Sequence, residues 1–238
     1  MNPVSVNLAD QTHRHEHYPS TNRKSTRNVL VFPTWAGITS FERDIAARLN
    51  AAGYDATLID FFGSGISLAT LEDRQQAIAP YLHDLSLLQA QVSALIASLQ
   101  RTLPEIGGSL SAIGFCLGGL CSIHAGLQEH CVDTAVSFHG LLKLPCTTGH
   151  HARDTRFLIL NGSLDPMVSP EEVNTAIRFF DQRSLDMTLI SISGTCHSFM
   201  LPDANAPEAG VMYQPRSAAR AWAYCEHFLS EVEKPSSH

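Results

Sequence analysis

The sequence predicts an α/β fold: a mostly parallel, doubly wound sheet with helices on both faces. Three observations carry this. From residue 28 onward, short apolar runs alternate with longer amphipathic stretches, strand then helix. The runs are continuously apolar, as in Val29-Leu30-Val31-Phe32 and Phe157-Leu158-Ile159-Leu160, which is the pattern of strands covered on both faces. Reactive side chains also stand just past several of these runs, where open α/β sheets place their sites.

The elements follow in order. Residues 28–33 (NVLVFP) form the first core strand. Residues 40–52 form an amphipathic helix, with Ser40 as its N-cap and Gly53 as its stop. Residues 56–60 are the next strand, and 61–70 a Gly/Ser loop. Residues 71–103 are mostly helical, with a break expected near Pro80. Strand 110–115 runs into helix 117–128, and strand 132–138 into an irregular stretch ending at 154. Strand 156–160 precedes a helix over 170–180, opened by Ser169 as N-cap and Pro170 in its first turn. Residues 187–192 are the last strand and 216–231 the closing helix.

The chain of 238 residues is 44% hydrophobic, enough for one sizeable core, and no linker interrupts it after residue 28. Residues 28–231 therefore read as a single domain, with residues 232–238 as a C-terminal tail. Residues 1–27 read as a polar arm, poorly ordered or with one short edge strand over 4–8. The alternating His13-Arg14-His15-Glu16-His17 fits a solvated tail better than a metal site. A net charge of −7, with no basic cluster past residue 27, argues against nucleic acid and anionic membrane partners. No apolar run reaches bilayer length and none resembles a signal peptide, so a cytoplasmic location is expected. The six cysteines, at 116, 121, 131, 146, 196 and 225, then read as free thiols, and their spacings do not match zinc ligands.

Past the strand ends stand Thr34 and Trp35, then Cys116, His139, Asp165 and His197. A nucleophile, an acid and a base occur in the order Cys, Asp, His, which is the chain order of the α/β-hydrolase triad with Cys in place of Ser. In Gly114-Phe115-Cys116-Leu117-Gly118-Gly119 the glycines let a strand and a helix pass close to a sharp turn with the thiol at its apex. The start of the following helix favours the thiolate. Asp165, in Asn161-Gly162-Ser163-Leu164-Asp165-Pro166, is placed to fix the tautomer of His197. The backbone N–H groups of Leu117 and Trp35 would form an oxyanion hole. His139, in Phe138-His139-Gly140, either lines the site or is structural. Cys196, beside His197, is packing or a second thiol able to trap an oxidised Cys116. The remaining cysteines, and His83, His124, His150 and His151, default to core or surface roles. No G-x-S-x-G occurs, which weakens a serine-hydrolase reading.

The elbow, the Asn161-Gly162-x-x-Asp165 segment and Cys196-His197-Ser198-Phe199 resemble the dienelactone hydrolases (carboxymethylenebutenolidases). So do Gly53-Tyr54, Asp60-Phe61-Phe62-Gly63 and the Tyr213…Ala218-Ala219-x-Ala221-Trp222 segment, so that the resemblance spans roughly residues 28–231. It implies an α/β-hydrolase fold and a cofactor-free, metal-free monomer, a dimer staying open. It further implies a small ester or lactone substrate and a Cys-His-Asp mechanism through an acyl-enzyme, with Cys116, His197 and Asp165 in those roles.

Three departures stand out. The family's activating glutamate is matched by Thr34. Of its two substrate-binding arginines, Arg74 loosely matches one, and Met200-Leu201 stands where the other would be. That apolar pair points to a more neutral or hydrophobic ester, with Thr34, Arg74, His139 and Phe199 lining the substrate. The family's N-terminal hairpin is expected to be lost in the polar arm. The competing reading is a thiol sensor or binding protein on the same scaffold, using Cys116 and Cys196.

Overall fold

In a computed structural model of the chain, residues 1–8, 10–21, 28–103, 106, 109–128, 132–145 and 154–231 are described. Cys131, Cys146, His150, His151 and the expected tail at 232–238 lie outside the described residues.

Six strands make the parallel body of the sheet: β3 (Asn28–Phe32), β4 (Asp55–Leu58), β5 (Leu110–Phe115), β6 (Thr134–Phe138), β7 (Arg156–Gly162) and β8 (Asp186–Ile192). Two more, β1 (Asn2–Leu8) and β2 (Gln11–Tyr18), extend it antiparallel, giving the order β1-β2-β4-β3-β5-β6-β7-β8. Each central strand feeds both faces, as the two-residue period of a strand requires. Leu30, Phe32, Ala112, Phe157 and Ile159 enter one core. Val29, Val31, Ile113, Val136, Leu158 and Leu160 enter the other. The first core is covered by α3 (Leu85–Thr102), α4 (Leu117–Gly126) and α5 (Pro170–Arg183), with α2 (Leu71–His83) packed outside on α3. The second is covered by α1 (Ser40–Ala52) and α6 (Pro215–Glu231). This is the expected doubly wound arrangement. No helix among the described residues is long and apolar enough to cross a membrane.

Several boundaries differ from expectation. α1 is capped by Thr39, not Ser40: the Thr39 hydroxyl accepts from the Phe41 N–H, and Glu42 closes a capping box. The helical stretch 71–103 breaks at Asp84, while Pro80 stays inside α2. Asp84 is extended, and its carboxylate accepts the Ser86 N–H, so it starts a new helix. Pro80 has no N–H to give the Gln76 carbonyl, so α2 goes without that bond, and the helix ends three residues later at His83.

The largest correction concerns the N-terminus. Within the stretch expected as a solvated arm, residues 2–8 and 11–18 pair as a hairpin, Asn2 opposite His17 and Leu8 opposite Gln11. His13, His15 and His17 all turn inward and are buried, while Arg14 between them is exposed. The Nδ1 atom of each ring is occupied, while His15 Nε2 is buried without a partner among the described residues. His13 Nδ1 lies 2.8 Å from the Asp60 carbonyl, His15 Nδ1 accepts the Asp60 N–H at 3.0 Å, and His17 Nδ1 lies 3.0 Å from the Thr57 hydroxyl. Imidazole here acts as a flat, half-apolar core residue with one polar edge satisfied.

Candidate active site

Cys116 follows β5 and precedes α4, half-buried, at φ 55 and ψ −113. A non-glycine residue there costs on the order of 1–3 kcal/mol and persists only where its surroundings hold it. Two glycines make those surroundings possible. A Cβ on Gly114 would run into the Gly118 carbonyl, and one on Gly118 into the Phe32 carbonyl of the neighbouring strand. Strand, turn and helix thus pass in backbone contact. The Cys116 N–H is shared between the Phe138 carbonyl at 3.1 Å and His139 Nδ1 at 3.2 Å, both at the end of β6.

Asp165 and His197 come from the loops after β7 and β8. Asp165 Oδ1 accepts the Met167 N–H at 2.8 Å, which fixes the carboxylate. Its Oδ2 lies 2.8 Å from His197 Nδ1, and His197 Nε2 lies 3.3 Å from Cys116 Sγ. The three predicted side chains are thereby brought into one line, with the acid and imidazole buried and the thiol facing outward. Burial alone would lower the pKa of His197. The hydrogen bonds and negative charge of Asp165 and Cys116 outweigh it and raise the value to about 10. An imidazolium beside the sulfur is thus favoured at neutral pH, an arrangement able to hold a thiolate and to return the proton. By contrast, burial pushes the thiols of Cys121 and Cys225 up, leaving them protonated and inert. Cys196 is a free, half-buried thiol.

The His197 loop is held by features that the sequence did not announce. Strands β9 (Asn205–Ala206) and β10 (Val211–Met212) pair as a short ribbon, and His197 bridges to it: its N–H reaches the Gly210 carbonyl at 2.9 Å and its carbonyl takes the Met212 N–H at 3.1 Å. The Gln214 side chain accepts the Cys196 N–H at 2.7 Å and donates to the Gly194 carbonyl at 2.8 Å. Neither two-residue strands nor a single glutamine before a helix carries a pattern that sequence reading could find.

On the opposite side, the loop after β3 turns tightly. The Thr34 carbonyl accepts from Gly37 and its hydroxyl from Ala36. The fully buried Glu42 carboxylate, reaching back from α1, accepts the Thr34 N–H at 3.3 Å and the Thr39 N–H at 2.8 Å. The N–H groups of Trp35 and Leu117 have no hydrogen-bond partner among the described residues. Of the expected substrate-lining residues, Thr34 is buried with its hydroxyl spent within the turn. His139 and Phe199 are 0% exposed and stand behind the line rather than on its surface. Arg74 is half-buried and donates its Nε to the Leu68 carbonyl at 2.8 Å. Met200 is also buried, in the second core, so it gives no apolar substrate wall. Among the described residues, no cluster of three or more His, Cys, Asp or Glu is placed to hold a metal ion.

A mostly parallel sheet wound on both faces, with a thiol at the turn after β5 and an acid and histidine on later strand ends, defines an α/β-hydrolase fold. The model of the dienelactone hydrolase family matches residues 16–233, and the chain belongs to that family, which places it among hydrolases of ester and lactone bonds. It is 26% identical over 205 residues to a probable 2-oxo-3-(5-oxofuran-2-ylidene)propanoate lactonase of Bradyrhizobium sp, covering 82% of this chain and 79% of that one. Among solved structures it resembles m3DLH, with a TM-score of 0.86, 26% identity and 97% of each chain covered. It also shares the fold of a dienelactone hydrolase-like promiscuous phosphotriesterase from metagenomic libraries, with a TM-score of 0.85, 23% identity and 97% of each chain covered.

Proposed function

We propose that this protein is a cysteine-dependent hydrolase of an ester or lactone, with Cys116 as nucleophile, His197 as the proton carrier and Asp165 as the acid that orients it. The observation that carries this reading is the continuous line from Asp165 Oδ2 to His197 Nδ1 at 2.8 Å and from His197 Nε2 to Cys116 Sγ at 3.3 Å.

The Cys116 thiolate, its proton on His197 Nε2, attacks the carbonyl carbon. The carbonyl π pair moves to oxygen, where the N–H groups of Leu117 and Trp35 receive it. Collapse expels the alkoxide, which takes the proton from Nε2 and leaves a thioester on Cys116. In a lactone the alcohol stays tethered to the acyl group. Water then enters, His197 takes its proton, and hydroxide attacks the thioester to release the acid and restore the thiolate–imidazolium pair. Thr34 stands where the resemblance puts an activating glutamate, so activation rests on His197 and on the N-terminal end of α4.

Lactones join simple aryl esters as first candidates because of the similarity to the Bradyrhizobium lactonase. The test is hydrolysis of a p-nitrophenyl ester and of an unsaturated five-membered lactone by the wild type and by Cys116→Ala, followed from the first turnover. The expected result is a burst stoichiometric with enzyme in the wild type and none in the variant. Equal turnover in both proteins would remove Cys116 from the mechanism.

A further inference from the structure

We propose that His139 is a positioning residue for the nucleophile: its unprotonated Nδ1 receives the Cys116 N–H and fixes the backbone that presents Sγ to His197. The inference rests on the reading of Cys116 as the nucleophile, and its test is separable from that reading.

Cys116 and His139 end adjacent strands, and both are non-glycine residues at positive φ, 55° and 40°. Two left-handed residues side by side persist only where each is held. His139 is held from both ends. Its N–H donates to the Leu160 carbonyl of β7 at 2.8 Å, and its Nδ1 takes the Cys116 N–H at 3.2 Å. The turn carrying the thiol is thus tied across β6 to β7, the strand that leads into Asp165.

The bond dictates the state of the ring. Nδ1 can accept only if it carries no hydrogen, so a neutral His139 carries its hydrogen on Nε2. Nε2 is buried and meets no partner among the described residues, with the rings of His197 and Phe199 each 5.2 Å away between centroids. Leaving a buried donor unsatisfied is unfavourable, and here it is the condition for offering the opposite lone pair to Cys116. Burial, and then the charge on His197, keep His139 neutral by holding its pKa well below the ordinary value. The same N–H also reaches the Phe138 carbonyl at 3.1 Å, so His139 is the second of two anchors, and losing it shifts the thiol without freeing the turn.

Asparagine at 139 keeps an acceptor near the position of Nδ1 and tolerates a left-handed backbone. Leucine is similar in size but accepts nothing, and glycine relieves the backbone while also accepting nothing. His139→Leu and His139→Gly should lose about 10- to 100-fold in kcat with KM nearly unchanged, as misplacement of a reacting atom does. His139→Asn should recover most of that loss. The rate at which iodoacetamide alkylates Cys116, read by peptide mass spectrometry, should fall and recover in the same order. This second readout needs no ester, so it decides the inference even if Cys116→Ala shows the hydrolase reading to be wrong. Equal behaviour of Asn and Leu, or a Leu variant as fast as wild type, overturns the proposal. Should the variants fail to fold, nitrogen-15 NMR of the wild type still decides: a hydrogen on His139 Nδ1 at neutral pH refutes it, and one on Nε2 supports it.

Discussion

Single atoms decide what the turn at Cys116 can be. A methyl group on Gly118 would collide with the carbonyl of Phe32, which is backbone of a central strand and cannot step aside. Gly118→Ala should therefore destabilise the protein by about 3 kcal/mol or more, a size reserved for overpacked or strained positions. Thermal unfolding measures it, and an unchanged midpoint would mean that helix and strand are not in contact there. The Asp165–His197 bond makes a different residue-scale prediction. His197 keeps its proton to about pH 10 because the favourable contacts with Asp165 and Cys116 outweigh burial. On the proposed mechanism the leaving alkoxide needs that proton, so kcat/KM should fall on the basic side as His197 loses it. Removing the Asp165 charge lowers the imidazole pKa, so in Asp165→Asn the basic limb should move to lower pH. The rate itself should drop about 10²- to 10⁴-fold. A limb that stays in place would show that it does not report His197.

Secondary-structure elements set the positions of those atoms, and their legibility in the sequence was uneven for physical reasons. Strands β3, β5, β6 and β7 are readable because strands buried on both faces are dominated by apolar residues, with small polar ones such as Ser111, Thr134 and Ser137 among them. The thiol and the acid are readable because each follows such a strand, and the histidine because it follows the edge strand β8 in a known order. The break at Asp84 is not, since Pro80 is the stronger breaker in the sequence while the actual boundary is set by an extended aspartate that caps a new helix. Phe199 and Met200 were misplaced because sequence proximity to His197 does not say which way a side chain turns: Ser198, at φ 57, swings the chain so that both enter the core. Gln214 was invisible because its work is done through two backbone groups of a loop distant in sequence. Gln214→Ala leaves the Cys196 N–H and the Gly194 carbonyl without their partner. It should cost about 1–2 kcal/mol of stability and lower kcat about tenfold. A variant that loses stability but keeps kcat would show that the β9–β10 ribbon alone aims the imidazole.

At the scale of the whole molecule, the sheet ends in a hairpin whose inner face is imidazole, and this ties the stability of the fold to pH. The hairpin sits on Asp60, whose carboxylate takes the N–H groups of Arg14 and Gly63 and whose backbone engages His13 and His15. Burial, and then the neighbouring His13, lower the pKa of His15 from 6.5 to about 3. Burial likewise lowers those of His139 and His124. A group whose value is depressed in the fold takes up a proton on unfolding. Stability should therefore fall as pH drops below about 6.5, by up to about 1.4 kcal/mol per pH unit for each such group. His197 does not offset this. Its value is raised, so its contribution is already complete below 6.5 and is lost only as pH rises toward 10. Urea unfolding at pH 7 and pH 5 should show the drop, with a smaller difference in His15→Leu, which has no proton to gain. That variant also leaves the Asp60 N–H without its acceptor, so it should be less stable than wild type at pH 7 while depending less on pH. The same pH dependence in both proteins would mean that His15 is not neutral in the fold, and that the hairpin is held by its strand pairing and not by its buried imidazoles.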